Sequence, residues 1–80
     1  MKWALIRNDE RPAISVGFCN PFPLELGRSV WVGSISSGEG WKTTPIIELI
    51  DERNFKTTNS TYKLVPLQEY YHDKKRSNQS

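Results

Sequence analysis

The sequence predicts an all-β fold: a small five-stranded antiparallel barrel over residues 1–71, followed by a disordered basic tail over residues 72–80. Four or five short segments are rich in β-branched and aromatic residues, and turn-forming residues separate them at intervals of about 8–12 positions. No segment has the length of a confident helix. Closure into a barrel is expected because an open sheet of this size would expose unpaired edges and one apolar face.

The first two segments predict a β-hairpin. Residues 3–6 form a short apolar strand, and the polar, proline-containing residues 8–12 form the reversal. Residues 13–18 alternate apolar with small or polar side chains, which is typical of a half-buried strand. The apolar residues of that strand are Ile14, Val16 and Phe18.

A stiff loop and a further strand follow the hairpin. Pro21 and Pro23 lack backbone donors and restrict the residues before them to extended conformations. Residues 29–35 have the composition of a strand, and both of its faces are apolar. One face carries Val30 and Val32, and the other carries Trp31 and Ile35. Both faces therefore need cover, or one of them needs a partner. The glycine-rich residues 36–40 predict a turn.

The segment after Pro45 is compatible with a short helix or with a strand. Its β-branched content favours a buried strand with an edge or a bulge at the proline. The side chains that this strand is expected to bury are Ile46, Ile47 and Ile50.

The last part of the domain predicts one long strand and a short closing element. Residues 55–65 are rich in threonine and form the strand, with Tyr62 and Leu64 directed into the core. Residues 67–71 fit either a closing strand or a single helical turn. The remaining residues contain no core side chain, so a disordered tail is expected from residue 72 onward.

Charge is distributed unevenly along these 80 residues, whose formal net charge is +2. Residues 1–71 contain eight Lys and Arg against eight Asp and Glu, whereas residues 72–80 contain three against one. The length allows a single domain. Because that domain is neutral, its recognition of a partner should depend on aromatic and polar surface, and a strongly acidic surface that imitates a nucleic acid is excluded.

The reactive side chains are too few for the common catalytic sites. The chain has one histidine, His72 beside the tail, and one cysteine, Cys19, which we interpret as a small hydrophobic residue. Neither a Ser-His-Asp nor a Cys-His arrangement can form in the domain, and no cluster of zinc ligands or phosphate-binding loop is present. The sequence therefore predicts a protein that is not an enzyme and has no cofactor or metal.

Binding to another protein is the leading functional hypothesis, and the aromatic residues carry it. Three tryptophans are too bulky to be fully enclosed in so small a domain, so at least one should be partly exposed. We assign that role to Trp41, which follows the glycine-rich turn; its alternative role is a lid packed over the open end of the barrel. The candidate partner-binding residues are Phe22, Leu24, Trp31 and Trp41. For Phe22 and Leu24 the alternative is that they only anchor their loop to the core.

Two further classes of partner remain open. A nucleic-acid-binding barrel would use Trp41 together with the cationic side chains of Lys42, Lys56, Lys63, Lys74, Lys75 and Arg76. A self-associating subunit would pair exposed strand edges between copies. No apolar run is long enough for a membrane helix, and the first residues do not form a signal peptide, so no membrane contact and a cytoplasmic location are expected.

Two stretches of the sequence resemble a pattern found in small proteins encoded by bacteriophages and prophages, whose folds are similar to the Src homology 3 barrel. Residues 27–32, Gly-Arg-Ser-Val-Trp-Val, are similar to the Gly-x-x-Val-x-Val start of the second strand in such barrels. Residues 43–47 and 57–64 resemble a Thr-Ser-x-Val segment followed by Thr-x-Asn-Ser-x-Tyr-x-Leu. Thr44 replaces the more usual serine of that pattern.

The resemblance covers residues 27–65, about half of the chain. It implies a barrel of the Src homology 3 type and a viral origin. It implies no specific activity. The leading functional hypothesis is an accessory protein of a phage or prophage that binds or inhibits a protein of the host.

Overall fold

The structure, a computed structural model, describes residues 1–72, and about half of these lie in β-strands. The chain is all-β apart from residues 67–72, which are helical. The strands are β1 Trp3–Arg7, β2 Glu10–Asn20, β3 Trp31–Gly33, β4 Gly40–Lys42, β5 Ile46–Leu49, β6 Asn54–Thr57 and β7 Thr61–Pro66. The all-β prediction is confirmed, but the described residues form seven strands instead of five. Apart from residue 72, the predicted tail lies outside the described residues.

All seven strands belong to one antiparallel sheet with the order β4-β3-β2-β1-β7-β6-β5. The sheet is not closed, since β4 and β5 are its two end strands. Only residues 43–45 separate β4 from β5 along the chain. The backbone of this connection is hydrogen-bonded to residues that directly precede β3. Thr43 N–H donates to the Val30 carbonyl at 2.8 Å, and Ile46 N–H donates to the Arg28 carbonyl at 3.0 Å. A single chain segment therefore links the two ends of the sheet.

The strand count differs from the prediction because one predicted strand is interrupted and because β4 forms where no separate strand was predicted. Residues 55–65 do not form one strand: a turn follows Thr57, whose N–H donates to the Ser60 carbonyl at 2.9 Å, and β6 and β7 pair as a hairpin. Strand β4 ends at Lys42, and residues 43–45 separate it from β5, since Pro45 has no N–H to contribute to a ladder. The prediction of strand over helix after this proline is confirmed by β5.

The first hairpin is also confirmed, with a tighter turn than expected. Asn8 and Asp9 have φ angles of 52° and 58°, so they form the two-residue turn with positive φ that suits the twist of paired strands. The Asn8 side chain accepts a hydrogen bond from the Thr61 N–H at 3.0 Å, which ties this turn to β7.

Strand β1 is the centre of the molecule because it is buried on both of its faces. Trp3 and Leu5 face the main core, whereas Ala4 and Ile6 face a smaller outer cluster that Tyr70 covers. The main core consists of Trp3, Leu5, Leu24, Val30, Val32, Ile46, Phe55, Tyr62 and Leu64. The predicted core positions of Tyr62 and Leu64 are therefore confirmed.

Several predicted core positions are wrong. Val16 and Phe18 are 40% and 38% exposed, because they lie on the outer face of β2, beyond the reach of the outer cluster. Ile47 and Ile50 are 55% and 52% exposed, whereas Ile46 is buried. Adjacent side chains of a strand point to opposite faces, so the burial of Ile46 leaves Ile47 on the exposed face, and Ile50 lies beyond the end of β5.

The helical residues 67–72 pack on the outer face of the β1–β2 hairpin. Leu67 N–H donates to the Lys2 carbonyl at 3.0 Å, and the Tyr70 hydroxyl accepts a hydrogen bond from the Ala13 N–H at 2.9 Å. The Arg11 guanidinium lies 5.2 Å from the centroid of the Tyr70 ring. Residues 67–71 therefore form a helical turn and not a closing strand. This helical turn lets Tyr70 bury its ring against Ala4 and Ile6.

We expect Tyr70→Phe to lower the free energy of unfolding by about 1 kcal/mol, because the part-buried Ala13 N–H loses its acceptor. Urea denaturation monitored by circular dichroism measures the change. Tyr71→Phe is the matched control: its side chain is 53% exposed, so its effect should stay within about 0.5 kcal/mol. Equal effects of the two variants would show that the hydroxyl of Tyr70 does not fix the helix.

The backbones of β2 and β3 approach closely at two glycines. Gly17 has a φ of 139°, and a Cβ atom at this position would overlap the backbone carbonyl of Gly33. A Cβ at Gly33 would in turn overlap the backbone at Gly40. Side chains at these positions would force the β2, β3 and β4 strands apart.

Gly17→Ala is expected to cost about 3 kcal/mol of folding stability, from an unfavourable φ and a backbone overlap together. Gly27→Ala separates these two causes, since this glycine also has a positive φ, 86°, but a Cβ there has no neighbour within 4 Å. We expect it to cost about 1–2 kcal/mol. A comparison of thermal unfolding curves would contradict the close approach if Gly27→Ala were the more destabilising variant.

Candidate binding surfaces

The four residues that the sequence suggests for partner binding do not form one surface. Trp41 is half-buried and packs against the main core, with its ring centroid 5.9 Å from that of Tyr62. The Arg7 guanidinium lies 5.8 Å from its ring centroid. These contacts agree with the alternative role of Trp41, in which its side chain packs over the core instead of being presented to a partner.

Phe22 and Leu24 hold their proline-rich loop against the core. Leu24 is buried at 8% exposure. Phe22 keeps 45% of its surface exposed and packs its ring on Trp3, with centroids 4.8 Å apart. The Arg53 guanidinium also contacts the Trp3 ring, at 5.4 Å from its centroid. Leu24 is therefore a loop anchor, and Phe22 is an anchor with one exposed face.

Trp31 lies on the outer face of the β3–β4 hairpin. It is opposite Lys42 in the ladder, and its indole covers Gly40, where any Cβ would overlap the ring. The indole borders a shallow polar pocket of about 470 Å³ that Arg28 and Lys42 also line. Arg28 is already paired with Glu25 at 2.6 Å. The pocket thus combines an aromatic face with two cations, one of which is neutralised.

The other cations of the nucleic-acid hypothesis are dispersed. Lys63 pairs with Asp9 at 3.7 Å, and Lys56 lies opposite Glu48 in the β5–β6 ladder. Lys42 lies on β4, at the other end of the strand order from β6. The remaining candidates, Lys74, Lys75 and Arg76, lie outside the described residues. The described part of the chain therefore brings no three of these lysines together.

A different surface, which we call the outer groove, gathers exposed apolar side chains. It lies between the outer faces of β2 and β3 and the helical residues 67–72, and its volume is about 620 Å³. Its apolar walls are Val16, Phe18, Ile35, Leu67 and Tyr71. Gly17 and Gly33 also line it. Because these glycines carry no side chain, the groove has space for a ligand between its walls.

The walls of the outer groove are open to solvent. Ile35 is 69% exposed and Tyr71 is 53% exposed, and Val16 and Phe18 are each exposed by about two fifths. Among residues 1–72, Lys2 is the one charged residue lining the groove, and its ammonium lies 5.7 Å from the centroid of the Phe18 ring, within the range of a cation–π contact.

Sequence reasoning did not assign these residues to a site, although two of its observations indicated them. The alternation of Val16 and Phe18 predicted a face that requires cover, and the opposed faces of residues 29–35 required cover or a partner for Ile35. The missing information was the position of Tyr71, which depends on how residues 67–72 pack.

The described residues that line the outer groove include no His, Cys, Asp or Glu. Among residues 1–72, no three His, Cys, Asp or Glu side chains are close enough to hold a metal ion together. Within the same residues, no helix is both long and apolar enough to cross a membrane. Cys19 packs against the main core, its thiol donates to the Pro21 carbonyl at 3.6 Å, and burial raises its pKa to about 11.

The raised pKa predicts that folding protects the Cys19 thiol from alkylation. At pH 8 the folded chain should react with iodoacetamide about 100-fold more slowly than the urea-unfolded chain, because the thiolate is the nucleophile. The folded pKa exceeds the ordinary value of 9.0, so folding favours the protonated thiol and this contribution to stability is lost as pH rises from 9 to about 11.

Mass spectrometry measures the alkylation rates, and Cys19→Ala should remove part of the stability loss above pH 9. Equal rates for folded and unfolded chains would contradict the burial of this thiol.

Comparison with known proteins identifies no relative: no protein-family model, no curated protein and no solved structure matches the chain. The resemblance to phage-encoded barrels stays a prediction. The function of the protein must therefore be inferred from the geometry of the described residues, and in particular from the outer groove.

Proposed function

We propose that this protein is a non-enzymatic module that binds another protein through the outer groove. One observation carries the proposal: Val16, Phe18, Ile35 and Tyr71, all large and exposed, line the same groove. Single exposed apolar residues are normal on a protein surface, whereas a contiguous apolar patch marks an interaction site. Aromatic side chains such as Phe18 and Tyr71 are also the residue types that contribute most to interface energy.

The composition of the chain supports an external ligand. The eight residues after His72 are Asp, Lys, Lys, Arg, Ser, Asn, Gln and Ser, none of which offers an apolar side chain to the groove. A neutral domain also favours a contact made through apolar and aromatic surface, since residues 1–72 contain as many acidic as basic side chains.

For the fold and origin, we retain the proposal of a Src homology 3-like barrel from a phage or prophage, acting on a host protein in the cytoplasm. The hydrogen bonds that join the start of β3 to residues 43–46 support the barrel, because they bring β4 and β5 into one bent segment. The origin and the host partner are supported by the sequence resemblance of residues 27–65 alone.

Single-stranded nucleic acid is the second candidate ligand, because Trp31 offers an indole beside Lys42 in a shallow pocket. Stacked bases on aromatic rings and cations along the backbone are the usual basis of such binding. Titration with oligonucleotides at low and high salt tests it, with Trp31→Ala as the variant. Absence of binding at low salt, where phosphate contacts are strongest, would eliminate this candidate.

Self-association through strand edges has less support. The end strand β5 exposes Ile47 and Leu49, but Pro45 precedes it and a register shift interrupts its pairing. Prolines and bulges are devices by which proteins prevent edge pairing between copies.

The protein-binding proposal predicts that Ile35→Ser and Tyr71→Ala each weaken the natural complex by about 5- to 30-fold, corresponding to about 1–2 kcal/mol, without unfolding the domain. Affinity capture from a lysate of the source organism, quantified by mass spectrometry for wild type and variants, identifies the proteins whose recovery depends on these residues. Binding of the recovered protein is then measured with purified components.

Ile47→Ser is the matched control, since this isoleucine has a similar exposure, 55%, and lies on β5, away from the groove. It should retain the complex. If both isoleucine variants recover the same proteins as the wild type with the same affinity, the outer groove is not the binding site.

A further inference from the structure

We infer that the partner presents to the outer groove an acidic, amphipathic segment, with apolar side chains against Phe18 and Ile35 and carboxylates near Lys2. The inference rests on the proposed function and specifies the chemistry of the ligand at the same site. It follows from the distribution of charge around the groove.

Lys2 gives the groove a positive charge that the described residues do not neutralise. Its ammonium lies over the Phe18 ring, and it forms no ion pair within residues 1–72. Of the residues that the structure describes, no aspartate or glutamate lines the groove. A carboxylate of the ligand could therefore pair with this lysine while an adjacent apolar side chain contacts the ring.

The sequence adds further positive charge close to the same wall. Lys74, Lys75 and Arg76 follow the groove residue Tyr71 by three to five positions. An extended chain spans at most about 3.6 Å per residue, so the Cα of Lys74 is within about 11 Å of the Cα of Tyr71. Asp73 is the single acid between Tyr71 and Lys74, so this stretch of the sequence carries a net positive charge.

The same charges disfavour other occupants. A basic segment would bring like charges together, which costs interface energy and slows association. Two copies that docked groove to groove would bring two Lys2 side chains into one interface. An acidic segment gains in both respects, because its apolar side chains fill the groove and a carboxylate meets the Lys2 ammonium.

The experiment is a selection of random short peptides displayed on phage, carried out on the full chain. Clones that bind wild type but not Ile35→Ser should combine apolar residues with Asp and Glu. The strongest clone is then synthesised in three forms, with its acidic positions kept, changed to Gln, or changed to Lys. Fluorescence anisotropy should rank their affinities in that order, with about a ten-fold or larger gap between the first and last forms at low salt, reduced at high salt.

The variants separate the contribution of charge from that of apolar contact. Lys2→Gln should weaken the acidic peptide by about 1.5- to 5-fold and leave the Gln form nearly unchanged. The combined K74Q/K75Q/R76Q variant should reduce the preference for the acidic form further. Ile35→Ser should weaken all forms, and Ile47→Ser should weaken none of them.

Two results would overturn the inference in distinguishable ways. If the three peptide forms bind equally and all depend on Ile35, the groove binds apolar segments regardless of charge, so the proposed function stands and the inference fails. If no clone depends on Ile35, and the captured proteins do not either, both fail. Binding of phosphatidylserine-containing vesicles through Ile35, without binding of acidic peptides, would also reject the inference in favour of an anionic lipid surface.

Discussion

The burial of β1 on both faces is the constraint on which the rest of the structure depends. Its residues alternate between the main core, where Trp3 and Leu5 pack, and the outer cluster, where Ala4 and Ile6 meet Tyr70. A strand that is apolar on both sides requires cover on both sides, because buried apolar area is the principal favourable term in folding. The sheet covers one side, and the helical residues 67–72 cover the other.

The outer groove is a consequence of that arrangement. The helical residues cover β1 but stop short of Val16 and Phe18 on the neighbouring strand, so these side chains line one side of an open groove. The close approach of Gly17 to Gly33 keeps the groove free of intervening side chains. The contacts that complete the fold therefore also create an apolar surface with one cation, Lys2, beside it, and this is the surface on which the functional proposal is based.

The sequence predicted local structure where a short-range pattern specifies it. The first hairpin follows from an apolar run, a polar turn and an alternating run, and the strand after Pro45 follows from β-branched residues. The prediction from sequence failed at residues 55–65, where β6 and β7 were expected to be a single strand. The reason is that Thr58, Asn59 and Ser60 are equally compatible with a strand and with a turn. The expected burial of Ile47 failed because adjacent residues of a strand face opposite ways, and the tertiary structure turns Ile46 inward. The role expected for Trp41 depended on which side of β4 meets the core, which no local pattern specifies.

The sequence by itself determined an all-β chain, a neutral domain with its excess charge in the last residues, and too few reactive side chains for the common catalytic sites. These properties depend on composition and on neighbours along the chain. Only the tertiary structure decided that Trp41 packs inward, that Leu24 is an anchor, and that Val16, Phe18, Ile35 and Tyr71 share one groove. The physical reason is that strand order, register and the packing of the final helical residues join side chains far apart in sequence, and the exposure of each side chain depends on those neighbours.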